Sequence, residues 1–377
     1  MKCYSRLAAC LLLIGLASIL TAQAQSSGQQ KLTKRVVADY VSAAQFITPP
    51  YNASKIPYHK LTHIIHAGVP WGSDGSLSVP DGFIEPALFK KAHAAGVKVM
   101  LLTGGDFTII EDNPAMLNTV VSNLQAFVTA HGYDGIDVDW EYPQSPLERA
   151  TMVQLMTAIR ASLPAPAYTL SIDVAPWVLY GYNFDKLKTV LDFFNIMVYD
   201  CAGPWTAHAQ LNSPIFWDWH NQAPGECKPG ASDEEAITLM SKHLPLEQIN
   251  LGTPFYGYEY TNVTAPFQEC PNAPTTPDGE CDDAVNTWVY KNLKPLINQQ
   301  GWKTYYDPIA LVPYMLRADG SPGYITYDDA FSTYARVYYA DWTRGIGGTF
   351  MWALDQDYDG HSQDLMDAMY HASLQPK

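Results

Sequence analysis

The chain has 377 residues, a formal net charge of −15, and is 47% hydrophobic and 16% charged. That balance belongs to a globular chain long enough for one large domain, and it excludes a disordered one. The acidic excess, with a pI near 4.9, argues against nucleic acid as a partner and against attraction to anionic membrane surfaces, both of which require basic patches.

The first segment reads as a targeting signal. Lys2 and Arg6 precede the apolar stretch LAACLLLIGLASIL, which is short for a membrane span, and TAQAQ offers cleavage after Ala24. Residues 1–24 are therefore expected to leave as a signal peptide, and the polar 25–34 to form a flexible leader on a secreted or periplasmic protein. Cys3 and Cys10 would go with the signal, leaving Cys201, Cys227, Cys270 and Cys281 in an oxidising compartment. Of the three possible pairings, Cys201–Cys227 with Cys270–Cys281 joins nearest neighbours and is the most economical. No Cys/His cluster points to zinc, and no nucleotide loop or haem motif to a cofactor, so none is expected.

Eight short apolar runs follow, at 35–41, 61–69, 98–105, 134–141, 168–176, 193–200, 249–258 and 346–355. Helical patterning lies between them, at 113–131, 146–163, 232–243, 283–299 and 328–344. In the first of these, Pro114 sits in the opening turn while Met116, Val120, Leu124, Phe127 and Val128 share one face. Ser232 and Glu235 have capping-box spacing. Eight strand–helix units predict an α/β fold, a (β/α)8 TIM barrel over 35–377, with a doubly wound open sheet as the alternative. The last two runs are too far apart for an ordinary crossover, which predicts a short insertion over about 260–325.

The run from Gly132 to Pro143, GYDGIDVDWEYP, carries the chemistry. On a strand, Asp137, Asp139 and Glu141 share one face and Ile136, Val138 and Trp140 the other. The outer face of a barrel packs on helices and must be apolar, so the acids point inward. Like charges about 7 Å apart in a low dielectric repel, and burial disfavours ionisation, so at least one carboxyl keeps its proton near neutral pH. Glu141 is last on the strand, at the C-terminal mouth where barrel active sites form. A protonated acid backed by an ionised neighbour suits glycoside hydrolysis. Two plainer readings compete: a solvated edge strand, opposed by the Ile/Val/Trp face, and a calcium loop at Asp355, Asp357, Asp359 and Gly360, whose twelfth position is Met366 instead of a bidentate Glu.

These residues resemble a known family. DGIDVDWE matches the D-x-x-D-x-D-x-E signature of family 18 glycoside hydrolases, the chitinase family; VMLLTGGDF resembles that family's third strand, IMVYD its sixth and GGTFMWALDQD its eighth. The resemblance covers roughly 35–358 and implies substrate-assisted hydrolysis of N-acetylglucosamine polymers. It makes Glu141 the general acid and later base, and Asp139 the group that orients the substrate acetamide. Asp137 would tune Asp139, Tyr199 would donate to the acetamide oxygen with Asp200 assisting, and Trp352 would floor the pocket. Tyr40, Trp205, Tyr256, Tyr258 and the pair Gly104–Gly105 are expected to line subsites. Two departures stand out: Leu102 where the family has serine before its glycine pair, and Gly68 where it often has an aromatic. The insertion is also short for a deep cleft, which implies a shallower groove.

The partner implied is a polysaccharide or oligosaccharide containing N-acetylglucosamine, met by a monomer in water. The same motifs suit an endo-β-N-acetylglucosaminidase acting on N-glycans or peptidoglycan. A noncatalytic lectin-like relative would usually lack Glu141. A glycosidase with its own nucleophile would need a second acid after the seventh strand, where Glu259 stands.

Overall fold

The computed structural model describes residues 32–218, 230–276 and 278–376. Seven strands alternate with helices in its first two thirds: β1 (Arg35–Val41), β2 (His63–Ala67), β3 (Lys98–Thr103), β4 (Gly135–Val138), β5 (Thr169–Val174), β6 (Phe193–Ile196) and β7 (Ile249–Pro254). Five more, β8 (Tyr256–Tyr260), β9 (Val285–Val289), β10 (Trp302–Tyr306), β11 (Pro313–Arg317) and β12 (Tyr324–Thr326), precede the last, β13 (Gly348–Trp352). Strands β1 to β7 and β13 close into a parallel barrel in which β1 pairs with both β2 and β13. The expected TIM barrel is the observed fold.

The helices start where local chemistry allows. Asn113 caps Pro114–His131 by accepting from the Met116 amide at 3.2 Å, and Gly132 ends that helix at φ 76°, a left-handed turn that suits glycine. Ser145 and Glu148 cap Pro146–Ser162 reciprocally, and Ser232 caps Asp233–Met240. The outer faces of the strands, with Ile64, Val99, Ile136, Val138 and Ile172 fully buried, pack against these helices.

The structure departs from expectation at the insertion. The apolar run 249–258 is two strands: β7 stays in the barrel, and after Phe255 the chain leaves as β8. Strands β8 to β12 form an antiparallel five-stranded sheet in the order β10-β11-β12-β8-β9. The stretch 283–299, expected as one helix, contains β9, a short α-helix at Tyr290–Leu293 and a 3-10 turn at Lys294–Leu296. The β-branched and aromatic residues of VNTWV favour a strand, and β8 offers an open edge to pair with. The helix expected over 328–344 is α-helical over Ala330–Tyr338 and widens into a π turn through Arg344. Cys270 and Cys281 form the expected disulfide, with Cα atoms 5.4 Å apart, in the loop between β8 and β9. Cys227, the other expected partner, lies outside the described residues, as do the signal segment and most of the leader. No helix among the described residues is long and apolar enough to cross a membrane.

The barrel interior is polar where apolar layers are usual. Arg35 donates from Nε to Asn250 Oδ1 (2.8 Å), Asn250 to Asn195 Oδ1 (3.0 Å) and Asn195 to Asp137 Oδ1 (3.3 Å). This relay runs from β1 through β7 and β6 to β4, and it ends on the acidic strand.

Candidate active site

The site grows from β4. Asp137 is fully buried, flanked in register by Leu102 on β3 and Ser171 on β5. Its Oδ1 accepts from the Ser171 hydroxyl and from Asn195, while Oδ2 has no partner. Two residues on, Asp139 is half-buried, with its amide bound to the Thr103 carbonyl at 3.0 Å and Oδ1 unpartnered. Glu141 follows on the same face and is exposed at the mouth.

Two hollows meet at Glu141. One, of about 250 Å³, is lined by Tyr142, Trp177, Asp200, Cys201, Trp205 and Ala231. The other, of about 460 Å³, is lined by Gly105, Asp106, Phe107, Thr108, Glu111, Asp139, Trp140 and Glu148. Glu141 is the residue they share, so a groove passes the acid on both sides. Aromatic faces border it: Phe107 stacks on Trp140 at 4.0 Å between centroids, and Trp205 is 42% exposed.

Opposite β4 stands Tyr199, buried just beyond β6. Its ring packs against Phe350 (6.2 Å) and Tyr256 (6.1 Å). Glycine at 252 makes the room, since a Cβ there would come within 2.8 Å of the Tyr199 ring. Asp200 adopts φ 60°, which a short polar residue tolerates, and its Oδ1 accepts from Tyr256 (2.6 Å) and Tyr258 (2.7 Å). The inserted sheet therefore reaches the site through its first strand. Trp352 ends β13, half-buried, on the same inward face as Phe350.

Electrostatics follow from this geometry. Burial, then the charges of Glu141 and Asp137, push Asp139 up to about 7. Burial pushes Asp137 up to about 6 against the hydrogen bonds from Ser171 and Asp173. Glu141 is raised by the packing around its carboxyl and by Asp200, although a hydrogen bond with Tyr142 pulls the other way. The residue as a whole is open to solvent, and it is the environment of the carboxyl end that sets proton affinity. Tyr199 is pushed well up by burial and by Asp173, Asp39, Asp200 and Asp139, so it stays a neutral donor.

The profile of the glycosyl hydrolases of family 18 matches residues 37–357. This chain belongs to that family. Among curated relatives, Chitinase A1 of Niallia circulans is 26% identical over 344 residues, covering 80% of this chain and 47% of the relative. Endochitinase 1 of Metarhizium robertsii is 26% identical over 381 residues, covering 89% of this chain and 85% of the relative. The chain thus spans about half of the first relative and most of the second. The crystal structure of Ostrinia furnacalis Group IV chitinase shares the fold at TM-score 0.78 and 20% identity, covering 91% of this chain and 100% of that one.

Within this family 18 barrel, Asp137, Asp139, Glu141, Tyr199, Asp200, Tyr256, Tyr258, Trp205 and Trp352 gather at the mouth. Tyr40 does not join them. Strand alternation places it on the outer face of β1, where it stacks on His66 at 5.6 Å and donates to Glu85. Gly104 and Gly105 act through the backbone: a Cβ at 104 would stand 2.7 Å from the Asp139 carbonyl oxygen, and one at 105 would strike Trp71. Glu259 is also elsewhere. It alternates with Tyr258 on β8, accepts from Trp288 Nε1 at 2.9 Å, and lies 3.9 Å from Arg317. The acids of the supposed calcium loop are engaged as well: Asp359 pairs with Lys294 (2.7 Å), Asp357 accepts from the Met366 amide (2.9 Å) and Asp355 lies 3.8 Å from Lys291.

The two departures are neighbours: the three atoms nearest a Cβ at Gly68 all belong to Leu102, at 3.4 to 3.8 Å, an ordinary contact distance. A hydroxyl reaches Asp137 from β5 instead, as Ser171. Reading the sequence by motif missed Ser171, Asn195, Trp177, and two further inward acids, Asp39 on β1 and Asp173 on β5. The period-two rule that identified Asp137 and Asp139 applies to RVVADYV and TLSIDV as well, and each holds a lone acid inside an apolar run.

Proposed function

We propose that this chain is an exported chitinase-like glycosidase that hydrolyses β-1,4-linked N-acetylglucosamine polymers with retention of configuration. The observation that carries the reading is the position of Glu141: one acid shared by two hollows, with Asp139 and Asp137 behind it and neutral Tyr199 across the bowl. A polymer lying in the groove puts a glycosidic oxygen within reach of that acid.

Glu141 protonates the leaving oxygen. The substrate's 2-acetamido oxygen attacks C1, forming an oxazolinium ion, and Tyr199 steers that amide. Asp139, in its ionised form, opposes the positive charge that develops on the ring, and Asp137 holds Asp139. Glu141, now deprotonated, takes a proton from the water that opens the oxazolinium. A protein nucleophile is unnecessary, and Glu259, the acid nearest that description in sequence, is engaged by Trp288. Support for the substrate class comes from the names of the relatives, and support for export from the Lys2/Arg6 and TAQAQ pattern together with the Cys270–Cys281 disulfide.

The test is a product and anomer profile from defined N-acetylglucosamine oligomers, run beside analogues lacking the 2-acetamido group. Retention on the first set and no cleavage of the second is the expected result. Rapid cleavage of plain glucosides, with activity lost in Glu259→Gln, would replace this mechanism with an enzymic nucleophile. Cleavage of N-glycans or peptidoglycan in preference to chitin oligomers would keep the mechanism and change the substrate.

A further inference from the structure

The mechanism above uses Asp137, Asp139 and Glu141 and leaves two inward carboxyls without a role, Asp39 on β1 and Asp173 on β5. Asp173 is the informative one. It faces the working strand: Asn195, its partner in register on β6, and Ser171, two residues before it on β5, both donate to Asp137. Asp137 Oδ1 already accepts from Ser171 and Asn195, whereas Asp137 Oδ2 and Asp173 Oδ1 are both buried without a donor. Two carboxylates cannot hydrogen-bond each other, because both are acceptors only. A proton on one of them gives both unpartnered oxygens a partner.

Among the described residues, no cation is among the groups that set its charge. The titratable groups that face Asp173 are Asp137 and Asp139 from β4, Asp39 from β1, Tyr199 from the end of β6, and Tyr182 from the segment after β5. All are acids or phenols. Arg35 reaches Asp137 only through the Asn250–Asn195 relay. Of the two carboxyls, Asp137 accepts from Ser171 and Asn195, which favours its charged form, while burial and the neighbouring acids favour the neutral form of Asp173.

We propose that Asp173 is a positioning residue of the catalytic bowl: as a neutral acid it donates to Asp137 and confines the working negative charge to the Asp137–Asp139 pair. No proton is transferred. Asp173 supplies the hydrogen bond that a lysine or arginine would supply elsewhere, but adds no positive charge to oppose the cationic intermediate. The directions of the proton affinities agree. Burial and the charges of Asp137, Asp139 and Asp39 push Asp173 well above the carboxylate range, and its bond to Asp137 pulls Asp137 back toward it. Asp39 is pushed up by burial and the same two acids, so it too is carried neutral.

This role rests on the proposed mechanism, and the experiment keeps the two apart. Asp173→Asn retains shape and a donor but no titratable proton, whereas Asp173→Ala loses both. The first readout is infrared difference spectroscopy on the folded enzyme at neutral pH, in which wild type minus Asp173→Asn is expected to contain the carbonyl stretch of a protonated carboxyl. The second is the pH profile of kcat on N-acetylglucosamine oligomers. Asp173→Ala is expected to lower kcat by about 10–100-fold with little change in KM, and to move the acid limb to higher pH, because Asp137 loses a donor. Asp173→Asn is expected to restore most of that loss and the position of the limb. A difference spectrum without the protonated band overturns the proposal, as does an acid limb in Asp173→Asn that moves to lower pH, since both mean that Asp173 is ionised in the wild type. Equal loss in both variants, in proportion to unfolded protein, makes the residue merely structural and also overturns it. If no form cleaves the oligomers, the proposed function falls while the infrared band still decides the proton.

Discussion

Two buried clusters of acids in this barrel are built in opposite ways. Around Arg336, which is fully buried, Asp233 contacts Nη1 at 3.0 Å and Asp328 contacts Nη2 at 3.0 Å, with the Ser213 carbonyl accepting from Nη2 at 2.6 Å. Around Asp137, none of the hydrogen-bonding groups among the described residues is cationic: Oδ1 accepts from Ser171 and Asn195, and Oδ2 is buried without a partner. Burial pushes Asp233 up to about 7 while Arg336 pulls it down, and Arg336 is raised by its two acids. These directions conflict for Asp233. A guanidinium does not deprotonate, and its permanent charge 3.0 Å away favours the ionised form, so we assign Asp233 as a carboxylate. The lesson is that burial alone does not mark a functional acid. A cation turns buried acids into a structural joint, here tying the segment after β6 to the helix Ala330–Tyr338, whereas acids left without one keep mobile protons near neutral pH.

The contrast can be broken by mutation, and the largest effect belongs at the mouth. Glu141→Gln is expected to lower kcat on N-acetylglucosamine oligomers by about 10²–10⁴-fold while leaving KM and the urea midpoint nearly unchanged, because the side chain is exposed and its proposed role is that of general acid. Near-normal turnover in that variant would mean that another group protonates the leaving oxygen.

Next comes the joint. Arg336→Ala strands two buried acids and is expected to cost about 3–5 kcal/mol in urea unfolding. The triple replacement of Arg336, Asp233 and Asp328 by apolar residues of similar volume is expected to recover most of that loss, because the desolvated charges go together. A mild Arg336→Ala effect would show that the two acids can stay neutral, like those in the bowl.

A smaller effect is expected at the sheet contact. Tyr256→Phe and Tyr258→Phe each remove one hydroxyl from Asp200, a hydrogen bond to a charged group worth about 1.5–3 kcal/mol. Each should lower kcat/KM on the oligomers by roughly tenfold or more. Asp200 should also titrate higher in both, since the hydroxyls now pull it down. Normal kinetics in both variants would separate the inserted sheet from catalysis.

The mildest effect is on pH and stability. Asp137 and Asp139 have folded proton affinities above their unfolded values, raised to about 6 and about 7. Their contribution to stability is therefore fully present below the unfolded carboxylate range, near pH 4, and is lost as pH rises through 6 to 7. Tm should fall between pH 5 and pH 8, and Asp139→Asn should flatten that slope. A rising Tm over this range would mean that paired acids elsewhere dominate the linkage.

Much of this was readable before any coordinates. Strand alternation is local, so IDVDWE alone puts its acids on one face and its apolar residues on the other, and eight such runs with capped helices between them call for a closed parallel barrel. The signature around Glu141 needed no tertiary information either. What sequence order could not reveal is which distant strands face one another across the barrel. Closure brings Asp39 and Asp173 to the same bowl, stacks the outward Tyr40 on His66, sets Ser171 of β5 against Asp137, and sends the chain after Phe255 into a separate sheet that engages Asp200. The period of a strand determines which face a side chain takes. Only the closed barrel determines what it meets there, because those neighbours lie tens to hundreds of residues away along the chain.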